Sequence, residues 1–347
     1  MLKTTVVGSY PRKEQQKDTL RKPTVSEEEA LEMIAWAVKD QCSIGLDVIT
    51  DGEAYRENMY WFYQLRMDGV DAHNKIYKQF GVGGSTEGVD LEKAHPLVKE
   101  KGGFGIECSV VTGKLENPDW DLAGKWKHAK DNADANVTVK QTITGPHMLA
   151  RFSVNQATDI YPDDTELARG YAQCIIEELR PLVKAGCNHI QFDEPVLTES
   201  PHECIWAADV LNEIIEQFPG VYFGLHICGG NAHRRRGYFG RYVEMLDGLK
   251  KIKLDELHLE YCTLHYNMLD LFDMWDYKGN LSIGVIDQRS DDIETVEQVH
   301  KLTRPALEYF EPDRLFLSSE CGFGHVPLDI TRAKLAVLVE AAKTLEP

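Results

Sequence analysis

Eight short apolar, β-branched runs recur along this chain, and most are separated by amphipathic stretches of helical period. The runs are residues 2–8, 46–50, 137–143, 188–193, 221–227, 256–260, 281–286 and 314–318. Strands that alternate with helices predict βα units and a parallel sheet, because a parallel pair needs a long crossover between its strands. Eight such units in 347 residues, with no internal repeat or Ser/Pro-rich linker, predict an α/β fold in the form of one (β/α)8 TIM barrel over residues 1–347. An open doubly wound sheet is the alternative. Residues 54–136 break the rhythm with aromatics, glycines and alternating segments near 74–80 and 104–113, and read as hairpins inserted between the second and third strands.

The helix boundaries carry their own signals. Ser26 and Glu29 form the S-x-x-E pattern of a capping box ahead of an apolar stripe, and Gly45 closes that helix. Asp163, Asp164 and Glu166 open a helix over 163–185 where acidic groups suit its dipole, and Pro327 falls in the first turn of the last helix, 327–344.

A net charge of -18 argues against nucleic acid, which needs a basic face, and against an anionic membrane surface. No apolar run is long enough to span a bilayer, and the first residues lack the basic head and apolar core of a secretion signal. The eight cysteines include no CxxC and are scattered, unlike a secreted disulfide framework, so a reducing cytoplasm is expected.

In such barrels the chemistry lies at the C-terminal ends of the strands. The first strand ends in Gly8-Ser9, which offers close backbone approach, a hydroxyl and an amide, enough to hold a carboxylate or make a plain βα turn. The second runs into Thr50-Asp51-Gly52-Glu53 and the fourth into Asp193-Glu194-Pro195. Two acidic clusters at one mouth repel unless they face a cation, although either can serve as a helix N-cap instead. The fifth ends in Leu225-His226-Ile227-Cys228-Gly229-Gly230, and alternation along a strand puts His226 and Cys228 on one side. Glu260 ends the sixth and Cys321 the eighth, and His258 shares the parity of Glu260 as a rival ligand. Imidazole, carboxylate and soft thiolate together favour zinc over magnesium or calcium. The run Arg234-Arg235-Arg236 after His233 reads as a solvated loop, and His189, His265 and His325 as structural histidines.

These stretches together resemble the catalytic C-terminal half of cobalamin-independent methionine synthase. The resemblance is carried by Thr4-Thr5-Val6-Val7-Gly8-Ser9-Tyr10-Pro11, by residues 45–53, by Ile190-Gln191-Phe192-Asp193-Glu194-Pro195, by His226-Ile227-Cys228, by Leu259-Glu260-Tyr261 and by Glu320-Cys321-Gly322, in the family's order. It implies a barrel with Zn2+ at its mouth, ligated by His226, Cys228, Glu260 and Cys321. It implies that Val7, Gly8 and Ser9 bind the backbone groups of homocysteine and that Glu53 and Asp193 receive its ammonium. Glu199 falls where the family has a pterin-facing Glu. In Asp287-Gln288-Arg289-Ser290, Arg289 stands where the family has a His that delivers a proton to the leaving group, and an Arg is a poor acid.

The expected activity is methyl transfer to the thiol of homocysteine, with a methylcorrinoid or its carrier protein, or methylfolate, as donor. The alternatives are zinc-dependent alkyl transfer to another thiol such as coenzyme M, and a non-catalytic zinc or amino-acid binding barrel.

Overall fold

The fold is seen in a computed structural model that describes residues 2–13, 24–80, 104–231, 234, 236–238, 240–264 and 266–345. Its strands are β1 (Lys3–Thr4), β2 (Val48–Ile49), β3 (Asp68–Phe80), β4 (Phe104–Glu116), β5 (Thr138–Val139), β6 (Gln141–Thr144), β7 (Ser153–Asn155), β8 (His189–Asp193), β9 (Tyr222–Ile227), β10 (Glu256–Glu260), β11 (Asn280–Ile286) and β12 (Leu315–Ser319). The α-helices are α1 (Glu27–Ile44), α2 (Trp61–Gln64), α3 (Leu122–Asn132), α4 (Pro146–Arg151), α5 (Asp164–Lys184), α6 (Cys204–Ile215), α7 (Leu246–Leu249), α8 (Asp270–Asp273), α9 (Val296–Thr303) and α10 (Leu328–Thr344).

Seven strands form one sheet in the order β1-β12-β11-β10-β9-β8-β6, and every pair in it is parallel. β2 pairs in parallel with β5, which leads directly into β6, and Thr5 bridges Val48 in parallel beside β1. Followed from neighbour to neighbour, the pairings return to β1, which is the strand order of a (β/α)8 barrel. β8, β10 and β12 are buried at every position, as a parallel sheet covered on both faces must be.

Local chemistry sets the boundaries. Ser26 Oγ accepts from Glu29 N at 3.2 Å while Glu29 Oε2 accepts from Ser26 N at 2.8 Å, so the capping box starts α1. Gly45 ends it in the left-handed region, at φ 93°. Asp163 caps α5 by accepting from Glu166 N at 2.9 Å. Pro327 is the N-cap of α10 rather than a first-turn residue.

Between β2 and β5, β3 and β4 pair antiparallel from Asp68↔Glu116 to Phe80↔Phe104, and β7 joins β4 in parallel. The sequence suggested separate short alternating segments here; the described residues instead form one long ladder that bends at two register shifts. Residues 81–103, also part of the expected insertion, lie outside the described residues, as do His233, Arg235 and His265.

The barrel interior is polar. Lys140, Gln191, Glu256, His258 and Ser282 are each at most 2% exposed. Lys140 Nζ donates to Thr5 Oγ1 at 3.1 Å, and Gln191 Nε2 donates to Val7 O at 2.8 Å, so both reach across from the third and fourth barrel strands to the first. Such groups survive burial because each is hydrogen-bonded.

Candidate metal centre and amino-acid pocket

Two sulfurs and one imidazole nitrogen converge at the C-terminal ends of β9 and β12. Atoms of His226, Cys228 and Cys321 lie within 4.8 Å of one another, and the two Sγ atoms are 3.6 Å apart. The loops are held from behind. Thr198 Oγ1 donates to Cys228 O at 2.9 Å, Cys321 N donates to Gln288 Oε1 at 3.2 Å, and Ser319 Oγ donates to Cys321 O at 2.8 Å. The contact with Cys228, aided by His226 and Arg289, draws the Cys321 thiol down, whereas burial pushes the Cys228 thiol up.

His226 is oriented by its neighbour on β8. Its Nδ1 is 2.9 Å from Asp193 Oδ1, and its Nε2 is buried with no hydrogen-bond partner among the described residues. Burying an unpaired ring nitrogen is costly, and a carboxylate on the far nitrogen is the usual support of a metal-ligating His. A buried, unpartnered ring nitrogen beside two thiols fits a thiophilic metal.

Glu260 stands beside this group but outside it. Its Oε2 accepts from Gly229 N at 2.9 Å and from Arg236 Nη2 at 2.7 Å, and its Oε1 pairs with Arg289 Nη2. Burial opposes its charge, but Arg289 and Arg236 hold the carboxyl below its usual range. Arg289 also donates to Glu320 Oε2 at 2.9 Å and to Gly230 O at 2.8 Å. Burial works against its charge too, yet Glu260 and Glu320 keep this guanidinium more firmly protonated than usual.

Arg236 therefore corrects the reading of residues 234–236 as a solvated loop. The chain folds back where Gly237 N and Tyr238 N donate to Gly229 O at 2.7 and 2.8 Å, and this brings Arg236 onto a buried charge that needs a counterion. Arg234 is half-buried and pairs with the exposed Asp291 at 2.5 Å. His258 is not in the sulfur–imidazole group. Its ring meets that of His226 edge-on at 5.2 Å, and its Nε2 is 3.3 Å from Ser319 O.

The two acidic clusters each divide the same way. Asp51 accepts from Tyr55 OH at 2.8 Å and from Glu53 N at 2.9 Å, which makes it a structural anchor. Glu194 accepts from His147 N at 2.9 Å and Met148 N at 2.8 Å, capping α4. Glu53 instead accepts from Thr142 Oγ1 at 2.5 Å, and Asp193 from Gln191 Nε2 at 2.8 Å. Burial raises the Glu53 carboxyl, Arg56 at 3.5 Å opposes that, and the facing charge of Asp193 adds to it. A cationic guest would relieve both carboxylates.

Gly8 lies against Glu53, since a Cβ there would be 2.3 Å from Glu53 Oε1. Ser9 O accepts from Phe323 N at 2.8 Å and Ser9 Oγ from Gly324 N at 3.3 Å, tying the first strand end to the Cys321 loop. Val7 supplies its carbonyl to Gln191. Glu199 sits farther round the rim, accepting from Ser200 Oγ at 2.9 Å and Arg151 Nη2 at 3.2 Å. Sequence reading missed Gln191, Lys140 and Arg236; the polar residues inside otherwise apolar strands were the available signal for the first two.

Comparison with known proteins identifies the family. The family model described as the cobalamin-independent synthase catalytic domain matches residues 2–80 and 82–344. A methionine synthase from Sulfolobus acidocaldarius is 30% identical over 347 residues, covering 98% of this chain and 91% of that protein. One from Saccharolobus islandicus is 29% identical over 352 residues, covering 99% and 95%. Among solved structures, a B12-independent methionine synthase from Shewanella sp. W3-18-1 in complex with selenomethionine superposes with a TM-score of 0.81 at 24% identity, covering 99% of this chain and 97% of that one. No helix among the described residues is long and apolar enough to cross a membrane.

Proposed function

This chain belongs to the family of cobalamin-independent methionine synthase catalytic domains, homocysteine methyltransferases, and from that membership we propose a zinc site on His226, Cys228 and Cys321 that serves its methyl transfer. The observation that carries the proposal is the buried, unpartnered His226 Nε2 beside two sulfurs 3.6 Å apart. The family resemblance makes Glu260 the fourth ligand. Its carboxylate is shared with Arg289 and Arg236, which would hold it beside the metal.

Bound there, zinc supplies the deprotonation of an incoming thiol, whose ordinary pKa is about 8.5. The chain's own groups do the rest. Asp193 holds the His226 ring, and Glu53 with Asp193 takes the substrate ammonium. Val7, Gly8 and Ser9 line the first strand end, where the amino acid's backbone groups bind. Fixing both ends of a small substrate aligns its sulfur for in-line attack on a methyl group, which replaces a bimolecular encounter with a positioned one. The described chain acts as one catalytic barrel, with residues 54–136 inserted into it.

The donor side carries Glu199 and Arg289. A guanidinium paired with Glu260 and Glu320 does not give up a proton to a leaving group. That favours a methylcorrinoid, on its own or on a carrier protein, whose departing cobalt needs no proton; methyltetrahydrofolate, the alternative, needs an acid other than Arg289. Coenzyme M is disfavoured as acceptor, because its sulfonate would face Glu53 and Asp193. The test is methionine formation from homocysteine with methylcobalamin and methyltetrahydrofolate in parallel. Product from either supports the reading, and product from neither overturns it in favour of a binding role.

A further inference from the structure

We propose that Lys140, deep in the barrel, is a positioning residue for the metal centre, acting through Gln191 and Asp193 to present His226 Nε2 to the two cysteines. The inference rests on the zinc reading above and extends it to residues that touch neither metal nor substrate.

An ammonium has three donors and no acceptor. Lys140 Nζ lies 2.6 Å from Gln191 Oε1, so the carbonyl end of that amide must face it; the amino end there would set donor against donor. The amino end is thereby directed to Val7 O and Asp193 Oδ1, both acceptors and both 2.8 Å away. A flipped amide would lose all three contacts at once. The orientation of Gln191 is therefore set by three partners together, the Lys140 ammonium at its carbonyl end and the acceptors Val7 O and Asp193 Oδ1 at its amino end, rather than by an arbitrary choice of amide assignment.

The polarity continues outward. Asp193 Oδ1, already receiving Gln191, also receives His226 Nδ1 at 2.9 Å, which holds a ring proton on Nδ1, while Nε2 has no hydrogen-bond partner among the described residues. Every member is enclosed: Lys140 and Gln191 are 1% exposed, Asp193 7% and His226 2%. Water is a poor substitute for any link in such an enclosed chain. Lys140 is anchored at its other side by Thr5 Oγ1 at 3.1 Å. The relay thus runs from the first barrel strand through the third and fourth to the fifth, where the metal ligands begin.

The test reads the ring proton and the metal separately. In metal-free protein labelled at histidine nitrogen, long-range ¹H–¹⁵N spectra are expected to show His226 as the Nδ1–H tautomer, and Lys140→Met and Gln191→Met to convert it to a mixture. By competition with a chromogenic chelator, each variant is expected to bind zinc about tenfold to a hundredfold more weakly. Because both act through one chain, the double variant should lose no more than the worse single one. Gln191→Glu guards against misfolding, since it gives Lys140 an anion to pair with while removing the donor to Asp193; it should also disturb the tautomer. An unchanged tautomer in all variants, or losses that multiply in the double variant, would overturn the relay. If the wild-type protein takes up no zinc, the zinc reading fails, and the tautomer measurement still decides the relay by itself.

Discussion

Asp193 Oδ1 stands 2.9 Å from His226 Nδ1, while the opposite ring nitrogen is buried and unpartnered among the described residues. Under the proposed function this one carboxylate has two jobs at the mouth, steering the imidazole and lending charge to the pocket opposite Glu53. Asp193→Ala removes both. Zinc affinity should fall about tenfold to a hundredfold by chelator competition, and the KM for homocysteine should rise. A variant with only one of the two effects would separate the roles.

Cys321 has its backbone held by Gln288 and Ser319, so its sulfur can be changed without loosening the loop. Cys321→Ser is expected to leave the far-ultraviolet circular dichroism and the melting temperature of the metal-free protein close to wild type. Elemental analysis should find its zinc lost, along with methionine formation. Retained zinc would mean that another sulfur or oxygen completes the site.

Arg289 bridges Glu260 and Glu320 where both carboxylates are at most 1% exposed. Removing one partner of a buried ion pair leaves an uncompensated charge, so Arg289→Met should cost about 3 kcal/mol of stability in denaturant titration. Combining it with Glu320→Gln should recover part of that loss. If the single variant is as stable as wild type, the bridge adds no net stability.

His189 sits edge-on to Tyr222, with centroids 4.5 Å apart, and burial beside Lys140 lowers its pKa to about 3. A histidine whose folded pKa lies below its unfolded value of about 6.5 stabilises the fold above that value and loses the benefit as pH falls, because the unfolded chain then binds the extra proton. From pH 6.5 to 5 that loss reaches up to about 2 kcal/mol at ~1.4 kcal/mol per unit. Other groups titrate as well, so the informative quantity is the wild-type stability minus that of His189→Gln, which should shrink across this window. A constant difference would contradict the burial of a neutral ring.

Much of this was legible in the chain, for identifiable reasons. β10 is bounded as its run suggested, and β11 and β12 to within a residue, because aliphatic residues recur at alternate positions, Leu257 and Leu259, Leu281 and Ile283, Leu315 and Leu317. The start of α1 was legible because a capping box is a local device, complete within Ser26 to Glu29. What was hidden depends on contacts far apart in sequence. Nothing local tells that Asp51 turns to Tyr55 while Glu53 meets Thr142, or that Glu194 caps α4 while Asp193 meets His226. Arg236 looked solvated because its neighbours are arginines; only the return of the loop over Glu260, 24 residues later, gives it a buried partner. His258 shares a strand face with Glu260, but parity fixes a side and not a depth, and its ring packs edge-on beside that of His226, outside the sulfur group.

If the cluster of His226, Cys228 and Cys321 holds zinc to bind a substrate thiol, the sulfur count at the metal changes when the substrate arrives. X-ray absorption at the zinc edge, with and without L-homocysteine, tests this reading most directly. Two sulfur neighbours per zinc are expected in the resting protein and one more when homocysteine is added. A zinc shell with the same sulfur count in both states would contradict it.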